Sequence, residues 1–186
     1  MLLKSQILEG YRNGKIHIEP FTESQIGPNS YDVRLGDILC VYNVINDVIN
    51  DVINYLDCKK NNPTKTIKIP DDGYVLQPGV LYLGNTVECI GSDYYVPMYD
   101  GRSSMGRLGI LSHISAGVGD IGFKRQWTLE ISVIHPVKVY KGMRIGQVHF
   151  HVVNEEYNRV ENRYSGKYCD QNGPQPSKSY MDDLYE

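Results

Sequence analysis

No stretch of this 186-residue chain approaches the ~18–20 consecutive apolar residues of a membrane-spanning helix. Its opening, MLLKSQILEGYRNGK, holds no apolar run of signal-peptide length. The expectation is a soluble, cytoplasmic chain that binds no membrane. Positive charge is not in excess either: 19 Lys and Arg against 22 Asp and Glu leave a formal charge of −3. Domains that bind nucleic acid by bulk phosphate neutralisation are usually basic. Nucleic acid is therefore not expected as a partner, and any phosphate must be met by a few placed side chains. Cysteine is sparse, and Cys40, Cys58, Cys89 and Cys169 form no C-x-x-C pair, which argues against a Cys-rich zinc site and, without an export signal, against disulfides. Phe and Trp are scarce, three and one, whereas Tyr occurs 15 times. That balance favours strands over helices.

What is present is enough for one folded unit: 41% hydrophobic and 22% charged residues in a chain of single-domain size. Ser5, followed by Ile7, Leu8 and Tyr11 and stopped by Gly14, predicts one short helix capped at Ser5. Beyond it, KIHIE (15–19), YDVRL (31–35), DILCVY (37–42), TIKI (66–69), YYVPM (94–98), WTLEISV (127–133) and IGQVHF (145–150) alternate or are β-branched. Turn residues such as Gln77-Pro78-Gly79 and Lys141-Gly142 separate them, so the class is all-β: a sandwich, jelly roll or barrel. One segment departs from this. NVINDVINDVIN (43–54) repeats every four residues, a spacing that suits a helix stripe, and reads either as a duplicated surface insertion or as a partner-binding helix. The domain is thus taken as residues 1–153, with an insertion at about 43–65, followed by a polar C-terminal arm over 154–186. Tyr157, Tyr164, Tyr168 and Tyr180 in that arm argue that it docks, since free tails are poor in aromatics.

Chemistry concentrates in residues 101–131. Gly101 to Gly109 hold three glycines, two serines and two arginines, which together make a cradle for phosphate oxygens or a charged surface turn. In 127–133, Trp127, Leu129, Ile131 and Val133 share one strand face while Thr128, Glu130 and Ser132 share the other. The apolar row belongs in a core, so Glu130 faces solvent, a cavity or another subunit. His17-Ile18-Glu19 and His149-Phe150-His151 are decoys for a zinc deaminase, because no P-C-x-x-C supplies the remaining ligands.

At this window the chain resembles the dCTP deaminase branch of the trimeric dUTPase-like superfamily. The resemblance is carried by LKSQILEGYRNGKIHIEPF, SYDVRLGD, GRSSMGRLG, H-x-S-A-G, D-x-G-F, TLE, YKGMRIGQ and the tail RYSGKYCDQNGPQPS. It implies a distorted jelly roll forming a homotrimer with sites between subunits, and a deoxynucleoside triphosphate bound with Mg²⁺. The implied substrate is dCTP, with dUTP or dTTP as further ligands. Zinc-free deamination to dUTP and ammonia is the implied reaction. Glu130 matches the general acid/base, Ser103 and Arg107 match residues that position water and triphosphate, and Ala116 supplies a carbonyl near that water. Arg102 and Ser104 would hold phosphates, Asp120 the sugar, Thr128 the nucleotide, and Tyr164, Lys167 and Gln171 would close from the arm, with Tyr157 a neighbouring candidate for the Tyr.

Three departures from the family pattern stand out. Gly119 replaces an aliphatic residue and is expected to loosen the loop holding Asp120. Lys124-Arg125-Gln126 replaces a neutral, glycine-bearing turn, and Val133 stands where Asn is frequent. Two alternatives accompany the main reading. A bifunctional enzyme carrying dCTP to dUMP, or a dUTPase, would use Asp120 to activate water against phosphate. The other is a non-catalytic nucleotide-sensing or interaction module on the same scaffold, supported by the insertion and the altered 119–126 loop.

Overall fold

Period-two alternation becomes sheet throughout the computed structural model, which describes residues 1–43, 46–47, 52–53, 55–154 and 163–182. In chain order its elements are α1 (Lys4–Arg12), β1 (Ile16–Glu19), β2 (Tyr31–Arg34), β3 (Ile38–Tyr42), β4 (Asn46–Asp47), β5 (Val52–Ile53), β6 (Thr64–Lys68), β7 (Tyr74–Leu76) and β8 (Tyr82–Ser92). There follow β9 (Tyr95–Gly101), α2 (Ser103–Arg107), β10 (Ile110–Leu111), β11 (Lys124–Val133), β12 (Val137–Val139) and β13 (Arg144–Val152). The larger sheet runs β10-β11-β8-β3-β6 with β1 also paired to β8, and the second runs β2-β13-β9. Strand β8 is the hub. It is buried along most of its length on both faces, its polar residues Asn85, Thr86, Glu88 and Ser92 included, which is why no exposed row marked it in the sequence.

The core lies between these sheets. Leu39, Ile90, Leu129 and Ile131 from the larger sheet pack with Tyr31, Val33, Val148 and Phe150 from the smaller. Helix α1 adds Ile7, fully buried. Its start corrects the sequence reading: the cap is Leu3, whose N–H donates to Gln6 Oε1 at 2.9 Å, and Ser5 lies inside the first turn. The Lys4 N–H is satisfied by the Pro28 carbonyl at 2.8 Å, so the body rather than a hydroxyl takes up an unpaired first-turn donor. The helical reading of 43–54 is corrected too. Its described residues pair antiparallel, Asn46 with Ile53 and Asp47 with Val52, consistent with the strand preference of β-branched side chains. The remaining positions of the repeat lie outside the described residues.

One charge is fully enclosed. Glu88 on β8 is 0% exposed and accepts from Arg34 Nε at 2.7 Å, Gln25 Nε2 at 2.9 Å and the Arg34 N–H at 2.8 Å. It ties β8, β2 and the turn before β2 into one polar knot. No described helix is long and apolar enough to cross a membrane.

Candidate active site

Strand β11 alternates as its sequence requires: Trp127, Leu129, Ile131 and Val133 are buried, while Thr128, Glu130 and Ser132 are half-buried. Thr128 and Glu130 of the second row face a cavity of about 530 Å³. A bulge shapes this wall, because Gln126 pairs with Cys89 but Thr128 with Asn85, leaving residues 86–88 of β8 opposite Trp127 alone. The Trp127 N–H, which the bulge would orphan, donates to Thr86 Oγ1 at 2.8 Å, and the Thr86 hydroxyl donates to the Glu88 carbonyl at 2.7 Å. The indole N–H donates to the Ile90 carbonyl at 2.9 Å. Trp127 is thereby fixed at both nitrogens beneath the cavity.

Glu130 Oε2 accepts from the Ile114 N–H at 2.9 Å, so the loop carrying His113, Ser115 and Ala116 is pinned to the carboxylate. The same loop brings Ala116 and Asp120 to the wall. A turn follows in which the Phe123 N–H donates to the Asp120 carbonyl at 3.2 Å. The roof is the arm. The Tyr164 N–H donates to the Ile121 carbonyl at 2.7 Å, and the Tyr164 ring meets Phe123 edge-on at 5.7 Å. Gln171, nearly fully buried, donates through Nε2 to Thr128 Oγ1 at 2.8 Å and to the Gln126 carbonyl at 2.7 Å.

Of the residues singled out in the sequence, Ala116, Asp120, Thr128, Glu130, Tyr164 and Gln171 therefore converge on one cavity. The others do not. Ser103, Ser104 and Arg107 are exposed on α2, and Arg102 is turned to Asp32, with Nε 3.2 Å from Oδ1. Lys167 pairs with Asp182 at 2.5 Å, a hydrogen bond that raises its ammonium above the ordinary lysine range. Tyr157 lies outside the described residues. The arm also brings Tyr168, Gln175 and Ser177 to the cavity. The sequence reading missed these as site residues, although the density of Tyr in the tail pointed towards Tyr168. Phe123 and Trp127 form an aromatic wall that the lone Trp, beside a Gly-Phe turn, could have marked. Among the described residues no group of three or more His, Cys, Asp or Glu is arranged to hold a metal ion. His149 sits on β13 with Nδ1 3.2 Å from the Asn29 carbonyl oxygen.

Gly119 does not loosen the Asp120 loop, contrary to the sequence reading. A Cβ at this position would lie 2.4 Å from Trp127 Cη2 and 3.0 Å from Pro97 Cγ, and the Gly119 N–H donates to the Pro97 carbonyl at 2.8 Å. The indole occupies the space that an aliphatic residue at 119 would fill, so loop and strand remain packed. Gly119→Val should thus destabilise the fold by ~1–3 kcal/mol through overpacking, read from urea unfolding midpoints. Trp127→Ile, which itself removes a buried ring, should cost less in the Gly119→Val background than in the wild type, because the valine takes up part of the space the ring leaves. Additive losses in the double variant would show that the two positions do not compensate.

A family model described as dCTP deaminase-like matches residues 1–153. A Clostridium beijerinckii protein named "dCTP deaminase, dUMP-forming" is 47% identical over 182 residues, 98% of both chains. The protein of the same name from Leptospira biflexa is 48% identical over 167 residues, 90% of this chain and 89% of that one. Among solved structures, the 2'-deoxycytidine 5'-triphosphate deaminase of Agrobacterium tumefaciens aligns with TM-score 0.61 at 21% identity, over 83% of this chain and 50% of that chain. The present chain thus spans half of that protein, and the likeness is one of fold.

Proposed function

This chain belongs to the dCTP deaminase-like family, and from that premise we propose that it deaminates dCTP and hydrolyses the triphosphate to give dUMP, ammonia and pyrophosphate. The reading of the sequence that stopped at dUTP is corrected: relatives matching 98% of the chain are named dUMP-forming, which favours the bifunctional alternative. The observation that carries the proposal is one cavity lined by two carboxylates, Glu130 and Asp120. Two hydrolyses need two places at which water can lose a proton.

In the deamination, Glu130 takes a proton from water as its oxygen attacks C4, and delivers a proton to N3. Glu130 then takes the hydroxyl proton of the C4 adduct and passes it to the amino group, so that the C4–N bond breaks, ammonia leaves and the C4 carbonyl forms. The Ile114 N–H holds one carboxylate oxygen, which leaves the other to carry the proton. In the second hydrolysis Asp120 orients water against the α-phosphorus, and pyrophosphate departs. Thr128 and Gln171 fix the nucleotide between β11 and the arm, and the Phe123–Trp127 wall excludes solvent from the ring. Ser103, Ser104, Arg102 and Arg107 act from a second copy of the chain, because α2 stands away from its own cavity. The exposed Leu108, Leu111 and Ile134 beside α2 supply apolar area for that contact, and a homotrimer closes it. Mg²⁺ bound to the nucleotide's phosphates would supply positive charge that offsets repulsion from a protein that is itself acidic.

The deciding measurement incubates the protein with dCTP and Mg²⁺ and assays ammonia, pyrophosphate and dUMP together. Equimolar release of all three is expected. Ammonia with accumulating dUTP would overturn the second step, and neither product would leave a binding module.

A further inference from the structure

Arg125 and Gln126 stand where the sequence departs from the family pattern, and the chemistry above makes no use of their side chains. Both reach the arm. Arg125 Nε donates to the Cys169 carbonyl at 3.0 Å, and the Gly173 N–H donates to Gln126 Oε1 at 2.8 Å. Gln126 is itself held from behind, its amide donating to the Val87 carbonyl at 3.2 Å. Thr128 continues the row, its Oγ1 accepting from Gln171 Nε2 and from the Gln175 N–H at 3.1 Å. Contacts thus fall on arm residues 169, 171, 173 and 175, from the turn at 167–170 into the irregular segment that follows it. A glycine-bearing turn offers such a segment only its backbone. A guanidinium and a carboxamide add a donor and an acceptor aimed at backbone groups of the arm.

We propose that Arg125 and Gln126 are the dock of the C-terminal arm, positioning residues that set the fraction of time for which Tyr164, Tyr168 and Gln171 roof the cavity. This rests on the reading of that cavity as the nucleotide site. Binding is reduced by the fraction of protein that is not competent, so a dock made of body residues prepays closure and lowers KM. At saturation the nucleotide itself holds the arm, and kcat is spared.

The test is amide hydrogen exchange on the full-length protein without nucleotide, paired with dCTP kinetics. Arg125→Ala/Gln126→Ala should accelerate exchange across residues 168–175 by about tenfold, the scale of one or two lost hydrogen bonds, while α1 and β13 stay unchanged. KM for dCTP should rise roughly fivefold to tenfold with kcat within about twofold. Gln126→Glu keeps an acceptor for the Gly173 N–H but loses the donor to the Val87 carbonyl, so it should fall between wild type and Gln126→Ala. Unchanged arm exchange in the double variant would overturn the dock, as would equal effects of Gln126→Glu and Gln126→Ala. Faster exchange with an unchanged KM would overturn its bearing on nucleotide capture. If the wild-type protein does not turn over dCTP, the reaction assigned above fails, and exchange still decides the dock.

Discussion

Glu130→Gln is expected to cut ammonia release from dCTP by about a thousandfold, within the range contributed by a general acid/base, while dCTP affinity changes by less than about threefold. The substitution keeps shape and the Ile114 contact, since the glutamine carbonyl can still accept that N–H, but the amide cannot carry a proton between water and N3. Ammonia assay and calorimetric titration of the variant read the two halves separately. The same variant tests the shared site. Mixed with Arg107→Ala chains under conditions of subunit exchange, it should restore about one quarter of wild-type activity by random assortment in a cyclic oligomer. Each restored site would take Glu130 from one chain and Arg107 from another. No recovery would place both residues in one chain's site or remove one from the reaction. Normal turnover by Glu130→Gln alone would end its role as the proton carrier.

Removing the enclosed charge at Glu88 should have the largest effect on stability. Glu88→Ala leaves the Arg34 N–H and Gln25 Nε2 without their buried acceptor and strips Arg34 of its counter-ion, a change that costs ~3–5 kcal/mol when a buried pair is broken from one side. For a chain of this size that corresponds to a fall in Tm of roughly 6–20 °C. Arg34 is 28% exposed and Glu88 0%, so the carboxylate bears more of the desolvation and its removal is the sharper test. Replacing both partners, Arg34→Met with Glu88→Leu, should recover only the part of the loss that comes from the unpaired guanidinium, because the Arg34 N–H and Gln25 Nε2 still lack the acceptor they had in Glu88. Scanning calorimetry would sink this account if Glu88→Ala unfolded within about 1 °C of wild type. Glu88 also matters to the site: its carbonyl accepts from the Thr86 hydroxyl that satisfies Trp127 at the bulge, so chain entry to the cavity wall passes through this knot.

The alternation of 127–133 determined, with no tertiary information, that Trp127, Leu129, Ile131 and Val133 face a core and Glu130 the other way. Side chains on a strand change faces at every residue, so composition alone fixes which row is buried once a second sheet exists to bury it. The same logic failed for β8, whose two faces are both enclosed, and for Glu88 within it, which reads as an ordinary polar position until Arg34 and Gln25 are brought beside it. Gly119 shows the limit most directly. In sequence it is a residue too small for its place, eight positions from a lone Trp, whereas in the fold the indole fills the missing volume. Ser103 and Arg107 stand in one window with Glu130 in the sequence, yet the chain sets α2 apart from the cavity that Glu130 lines. Local pattern therefore determined the type and the buried face of the alternating strands, because these depend on neighbours one to four positions away. Which of those residues meet, what encloses them and where the arm rests were decided by tertiary packing, since they depend on distances that periodicity does not encode.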